Sequence, residues 1–277
     1  MDKELLKRIE RTFAYLNSQS AAGSFPGPGA LATLLSQYVD PSVSTKTISA
    51  TRKIQTGFAT AAVEMWLRAV HSFLISLSLS KASPAWASIS GYYSSHYSVR
   101  AFAHLFGTFQ LQRKHRIAYL EKGGGHLTLE KKNAGDREHK FYWKYVSEHL
   151  NDPFFYPNQE DQADGGHRNK INYWDHIGQY PVFKPLDAQF LRDAVERIAG
   201  IYLSSVPVPR ADANPFPDLD NVQIIAYHRL VKFRKFLDEI CEKNRFWSIY
   251  RNPSWRPCSL RFNVVEPMFV SVYANQP

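Results

Sequence analysis

The residues best suited to chemistry lie together in one short polar segment, Gly165–His176, with the sequence GGHRNKINYWDH. If Arg168–Trp174 is helical, Arg168 and Asn172 share one face, and Asn169 and Tyr173 share the adjacent one. A histidine exchanges protons near neutral pH, and an arginine offers a planar set of donors that suits a phosphate group. Ordinary surface helices contain more Lys and Glu and fewer His, Asn and Tyr, so the composition of this segment favours a site.

Two other interpretations of the same region remain open. Arg168 can instead pair with Asp175 or with the acidic loop 151–166, while Asn172 and Tyr173 satisfy buried backbone groups. A metal site built from Asp161, Asp164 and His167 has carboxylate and imidazole ligands, but it matches no zinc spacing. We therefore expect no metal and no cofactor. Signatures of serine hydrolases, P-loop proteins and Rossmann folds are absent from the sequence.

The charge of the chain favours a polyanionic partner. The 277 residues carry a formal net charge of +9. Bases predominate strongly over acids in residues 41–116 and again in residues 225–261. Nucleic acid fits such regions, although a solvated basic surface without any ligand explains them equally simply.

The composition predicts a soluble cytoplasmic protein. Two cysteines, Cys241 and Cys258, are too few for a disulfide framework and lack a metal-binding spacing. The N-terminus is charged and helical, unlike a signal peptide, and the apolar run Ala69–Leu79 is too short to span a bilayer. We therefore expect no membrane association.

One central helix, Pro84–Gly107, must position any site. Proline suits its first turn and Gly107 its end. Apolar and aromatic residues occur on nearly every side of it, which is typical of a buried helix. Arg100 and His104 nevertheless lie one turn apart on one face, so this face should open on a cleft or meet a polar partner. We expect that partner to be Gly165–His176.

The remaining pattern predicts a mainly α protein, a helical bundle with an inserted β-hairpin and short C-terminal strands. The hairpin pairs His115–Glu121 with His126–Lys131 around a glycine triplet. We expect an N-terminal domain, residues 1–205, that carries the hairpin near 108–131, and a C-terminal part, residues 206–277. The predicted helices span residues 2–18, 30–39, 45–80, 84–107, 137–150, 186–204 and 221–243. The last of these has a basic face made of Arg229, Lys232, Arg234 and Lys235.

Two stretches resemble the HEPN superfamily of helical domains. GYYSSHYSVRAFAHLF, within the central helix, is similar to the second long helix of these domains, and RNKINY resembles their Arg-Asn…Tyr segment. The resemblance covers residues 45–205 and implies an α-helical, often dimeric domain. Active members are metal-independent ribonucleases that are frequent in toxin–antitoxin and antiphage systems.

The resemblance implies roles for individual residues. Arg168 would bind phosphate, His176 would be the acid/base, and Asn169 and Tyr173 would position RNA. Seven residues separate Arg168 from His176, which is one more than the family pattern allows. The side chains expected to contact substrate are Arg100, His104, His167, Arg229, Lys232 and Lys235.

The expected function is therefore an RNA-directed protein, a metal-independent endoribonuclease or toxin-like effector of a bacterial defence or toxin–antitoxin system. Its implied partners are RNA, a second copy of the chain, and an antitoxin or other defence-system protein. The alternative is a non-catalytic helical subunit that binds nucleic acid or a partner protein through Asn221–Lys243. A regulatory subunit that senses a small molecule is a third hypothesis.

Overall fold

The part of the chain that the structure describes is mainly helical, with a four-stranded antiparallel sheet. A computed structural model describes residues 1–19, 27–79, 83–133, 138–155, 221–241 and 243–251. Within these ranges the helices are α1 (Lys3–Ser18), α2 (Pro28–Ser36), α3 (Arg52–Leu79), α4 (Pro84–Phe106), α5 (Glu138–His149), α6 (Asn221–Cys241) and α7 (Arg245–Arg251). The strands are β1 (Thr45–Ser49), β2 (Thr108–Leu111), β3 (Arg116–Leu120) and β4 (His126–Lys131).

The predicted central helix is confirmed as α4. Pro84 occupies its first turn, and Gly107 ends it in the left-handed conformation, with φ 105°. The Gly107 N–H donates to the carbonyls of Ala103 and His104, as expected for a glycine after the last helical residue. Most of the α4 side chains are buried, because other elements pack around it on several sides.

Helices α3 and α4 pack antiparallel to each other. The Ser76 hydroxyl donates to the Ala87 carbonyl at 2.6 Å, and the Ser94 hydroxyl donates to the Ala69 carbonyl at 2.8 Å. Residue numbers in these two contacts increase along α4, from 87 to 94, while they decrease along α3, from 76 to 69, so the two helices run in opposite directions. Small side chains at this crossing allow the two helix backbones to approach closely.

The sheet contains the predicted hairpin and extends it on both sides. Its strand order is β1-β4-β3-β2, with every neighbouring pair antiparallel. One prediction was wrong: residues 45–49 form β1 rather than the start of a long helix. The sequence TKTIS contains β-branched residues and alternates in burial, and its backbone pairs with β4, so α3 begins only at Arg52.

The sheet lies between two helical layers. Buried apolar side chains of β2, β3 and β4 pack on one face against Leu31 and Leu35 of α2 and against Ile54 and Phe58 of α3. On the other face, α5 covers β2 and β3. There the Gln110 backbone N–H donates to the Tyr142 hydroxyl at 3.0 Å.

A buried arginine joins the hairpin to the end of α4. Arg8 of α1 donates from Nη2 to the Leu105 carbonyl at 2.7 Å and from Nη1 to the Glu121 carbonyl at 3.2 Å. Gln55 of α3 donates to the Gly124 carbonyl at 2.7 Å. Burial lowers the pKa of Arg8 to about 10, so the guanidinium stays protonated at neutral pH. Helices α1 and α3 thereby fix the position of the β3–β4 turn, and Arg8 ties it to the end of α4.

The C-terminal helix α6 shares the hydrophobic core of the N-terminal helices. Gln223 donates to the Ser76 carbonyl at 3.0 Å, and the Trp66 indole donates to the Leu230 carbonyl at 3.1 Å. The Trp66 ring also packs against Trp247 of α7, with ring centroids 5.4 Å apart. The predicted domain boundary at 205/206 lies outside the described residues and stays a prediction.

Two further predictions fall partly or wholly outside the described ranges. Residues 245–251 form α7, a helix, where short strands were predicted. The rest of the region of the predicted C-terminal strands, after residue 251, and the predicted helix 186–204 lie outside the described residues.

The segment Arg52–Leu77 is long and apolar enough to cross a membrane by length and composition alone. This is weak evidence, because the core helix of a soluble protein passes the same test. The segment belongs to α3, and most of it is buried inside this fold. The expected absence of a membrane and the cytoplasmic location stay predictions.

Replacing Gly107 with alanine should destabilise the protein by about 3 kcal/mol. A Cβ at this position would lie 2.8 Å from the Leu120 carbonyl oxygen and 2.7 Å from Arg8 Nη1, at a φ that side chains disfavour. Urea denaturation measures the change. Gly123→Ala is the control, because no heavy atom lies within 4 Å of its Cβ position. Equal stability of the two variants would contradict this account of the α4 end.

Candidate functional site

The residues proposed to act on substrate divide into two groups. Arg168, Asn169, Tyr173 and His176, together with His167, lie outside the described residues, so their roles stay predictions. Arg100 and His104 of α4, and Arg229, Lys232 and Lys235 of α6, lie in the described part of the chain. Their surroundings show which of them a ligand could reach.

His104 is wholly buried at the end of α4. Its Nδ1 lies 2.9 Å from the Thr108 carbonyl oxygen, which can only accept, so Nδ1 carries the proton. The ring packs between Phe109 and Tyr142, at centroid distances of 4.9 and 5.6 Å. Burial, aided by the charge of Arg100, lowers the pKa of His104 to about 3. The imidazole is therefore neutral at physiological pH. Its polar partner, the Thr108 carbonyl, lies just after the end of α4.

The expected partner of the Arg100–His104 edge, Gly165–His176, lies outside the described residues, so their meeting stays a prediction. Within the described residues, Nδ1 of His104 bonds to the carbonyl of Thr108, four residues further along the chain. Arg100 is half-buried, and its guanidinium carbon lies 5.3 Å from the centre of the Tyr142 ring. Tyr93 and Tyr97, on the same face of α4, are half-buried as well. This part of the face is accessible, unlike His104.

The predicted basic face of α6 is only partly exposed. Arg229 has 0 % exposure; its Nε donates to the Phe154 carbonyl at 2.7 Å, and its guanidinium lies 4.2 Å from the centre of the Trp143 ring. Arg234 is also buried, and its Nε donates to Asp238 one turn later at 3.3 Å. Both cations therefore stabilise the interior, since a buried guanidinium requires such partners.

Two other side chains of α6 hold the same segment as Arg229. Lys232 forms an ion pair with Asp152 at 3.0 Å. His228 stacks on Phe154 at a centroid distance of 4.6 Å. Burial is the main cause that lowers the pKa of His228 to about 4; Arg229 lowers it further, and Asp152 opposes the shift. Together, His228, Arg229 and Lys232 fix the chain just before residue 156.

Lys235 is half-buried on α6. Within the described ranges it has no carboxylate at ion-pair distance, so its charge is available to a ligand. Of the predicted α6 cations, Lys235 is therefore available to a ligand, whereas Lys232 is paired with Asp152 and Arg229 is buried in the fold.

A cluster that the sequence reasoning missed lies at one end of the sheet. It consists of the exposed Arg113, Lys114 and His115 after β2 and of Lys131 and Lys132 at the end of β4; we call it the basic tip. Antiparallel pairing places Lys131 opposite Arg116, and the Lys132 N–H donates to the His115 carbonyl at 2.9 Å. The predicted hairpin contained the necessary signal, because its register brings QRKHR and EKK to the same end.

Metal ligands do not cluster in the described part of the chain. There, no group of three or more His, Cys, Asp and Glu side chains is close enough to hold a metal ion. The metal alternative at Asp161, Asp164 and His167 lies outside the described residues.

Replacing Arg229 with lysine should lower the free energy of unfolding by about 3 kcal/mol, because a lysine cannot reproduce the Nε bond to Phe154. Guanidinium denaturation measures this loss. Lys232→Gln is the matched control; it removes a more exposed ion pair and should cost less than about 1 kcal/mol. An Arg229→Lys protein of unchanged stability would show that Arg229 is not a structural residue.

His104 should make stability depend on pH. Its pKa is about 3 in the folded state and near 6.5 when unfolded, so between these values only the unfolded state binds the proton. Stability is therefore full above pH 6.5 and falls as the pH decreases towards 3. His104→Asn retains a donor for the Thr108 carbonyl and should reduce the slope by about 1.4 kcal/mol per pH unit. A slope equal to that of the wild type, measured by urea denaturation at several pH values, would contradict this assignment.

Comparisons with known proteins returned no relative: no family model matches this chain, and neither a curated protein nor a solved structure was found to match it. The likeness to HEPN domains therefore depends on the quoted residues alone.

Proposed function

We propose that this chain is a HEPN-like, RNA-directed protein that acts as a metal-independent endoribonuclease in a bacterial defence or toxin–antitoxin system. The observation that carries the proposal is the position of α4. The helix that bears YYSSHYSVRAF lies at the centre of the fold, antiparallel to α3, and the resemblance implies such a long helix pair. In this proposal the helices around α4 form a helical bundle, and the sheet is an insertion.

The contacts of α6 add support for a defined site. Arg229 and His228 hold the Phe154 backbone and ring, and Lys232 holds Asp152. These contacts fix the chain ten residues before Gly165, where the candidate segment begins.

The candidate residues suit phosphodiester cleavage without a metal. The 2′-hydroxyl of RNA attacks the adjacent phosphorus, and the bond to the 5′-oxygen of the next nucleotide breaks. In the proposed mechanism, His176 takes the proton from the 2′-hydroxyl and gives it to the leaving 5′-oxygen. The Arg168 guanidinium stabilises the charge on the phosphate oxygens. Asn169 and Tyr173 position the RNA. The products are a 2′,3′-cyclic phosphate and a 5′-hydroxyl, so atoms and protons balance.

A second function is carried by a different observation, the surface cations. A non-catalytic subunit would bind nucleic acid or a partner protein through exposed charges, and the basic tip provides such charges. The originally expected surface, α6, is less suitable because Arg229 and Arg234 are buried. Assembly as a homodimer or with an antitoxin-like protein is part of the proposal in either case.

Cleavage tests the two functions against each other. Purified protein is incubated with a labelled RNA and a chelator, and the product termini are identified. We expect cyclic phosphate ends from the wild type and at least a hundredfold slower cleavage by Arg168→Ala and His176→Ala. Lys170→Ala, in the same segment, is the matched control and should cleave RNA within a few-fold of the wild-type rate.

Two results would contradict the catalytic proposal. Unchanged cleavage by Arg168→Ala would exclude this residue from the reaction. Absence of cleavage by the wild type, together with salt-sensitive RNA binding, would favour the non-catalytic subunit.

A further inference from the structure

The basic tip concentrates positive charge on a small part of the surface. Residues 112–116 and 130–132 contain five lysines and arginines and a single acid, Glu130. Glu130 and Lys131 are successive residues of β4, so their side chains point to opposite faces of the sheet. Within the described ranges, no carboxylate lies at ion-pair distance from Arg113, Lys114 or Lys131. Their charge is therefore not neutralised there.

Not every cation of this region is available to a ligand. Arg116 is buried, and its Nη2 donates to the carbonyls of Asp40 and Val43 at 2.9 and 2.7 Å. Lys132 is half-buried and donates to the side-chain oxygen of Gln110 at 3.2 Å. These two cations stabilise the base of the tip, whereas Arg113, Lys114 and Lys131 are exposed to solvent.

The backbone holds the exposed cations in a defined arrangement. A 3-10 turn, Gln112–Lys114, ends at His115, whose φ of 49° is positive. His115 is the one non-glycine residue with a positive φ in the described chain. A left-handed conformation without glycine is uncommon, and the contacts around it must hold it. Here the His115 N–H donates to the Gln112 carbonyl, and the His115 carbonyl accepts from Lys132.

This arrangement suits phosphates better than a single small anion. The cations are spread across the ends of neighbouring strands, which lie roughly 5 Å apart. Long, separate side chains on such a surface can each contact one phosphate of a nucleic-acid backbone, and such contacts do not read base sequence. A closed pocket around one ion would instead require buried donors that converge on one point.

We propose that the basic tip is the docking surface for the phosphate backbone of RNA. This inference deepens the proposed function and depends on it. Arg113, Lys114 and Lys131 each contact one phosphate. The tip therefore holds the RNA independently of its sequence, while another part of the chain acts on it.

The test measures RNA binding by fluorescence anisotropy between 50 and 200 mM salt. The probe is a fluorescein-labelled single-stranded 20-mer. The variant is the triple Arg113→Gln, Lys114→Gln, Lys131→Gln, and the matched control is Lys3→Gln, Lys53→Gln, Lys144→Gln, which removes three exposed cations elsewhere. The loss of three phosphate contacts should reduce the logarithmic salt slope by about 2 and weaken binding roughly a hundredfold at 100 mM salt. The control should bind like the wild type.

Each other outcome has a definite meaning. Equal loss in both triple variants, or no loss in either, overturns the docking surface but leaves the proposed function standing. Absence of RNA binding by the wild type overturns both. Phosphatidylserine vesicles that bind the wild type but not the tip variant, with RNA binding unchanged, would assign the tip to a membrane surface and refute the inference. If the triple variant does not fold, Lys114→Glu replaces it, because Lys114 is exposed in the turn. Its RNA binding is then compared with that of the wild type and the control in the same way.

Discussion

The structure depends on the burial of α4 among the other elements. A mostly buried helix needs partners inside the protein for the polar groups on its buried faces. Ser94 finds one in the Ala69 carbonyl, and the Leu105 carbonyl receives the guanidinium of Arg8. Because Arg8 also holds the Glu121 carbonyl, the end of the central helix, the N-terminal helix and the hairpin turn are mechanically coupled.

Much of this architecture could be predicted from local sequence. Pro84 and Gly107 bound α4 because their backbone preferences act without help from the rest of the chain, and the glycine triplet identified the hairpin. The strand at Thr45–Ser49 was missed because its conformation depends on pairing with β4, about eighty residues later. The burial of Arg229 and His104 was missed for a similar reason. A helical period shows which residues share a face, but it does not show that Phe154, Trp143 or Tyr142 packs against that face.

The distribution of cations changes the interpretation of the chain's basic character. Arg8, Arg116, Arg229 and Arg234 are buried and contribute to the interior through carbonyl, carboxylate and aromatic partners. Net charge alone therefore overstates the surface that a polyanion meets. Several exposed cations lie together at the end of the sheet, where antiparallel register brings together two basic stretches that are distant in sequence. The site proposed for chemistry and the surface proposed for docking are thus separate parts of one chain.

Ultraviolet crosslinking of bound RNA, followed by mass spectrometry of the digested protein, tests the central claim most directly. The account predicts nucleotide adducts on peptides from Gly165–His176 and on peptides from the basic tip, in the same preparation and in the presence of a chelator. Adducts that leave Gly165–His176 unlabelled and lie on other surfaces, or no adducts at all, would contradict it.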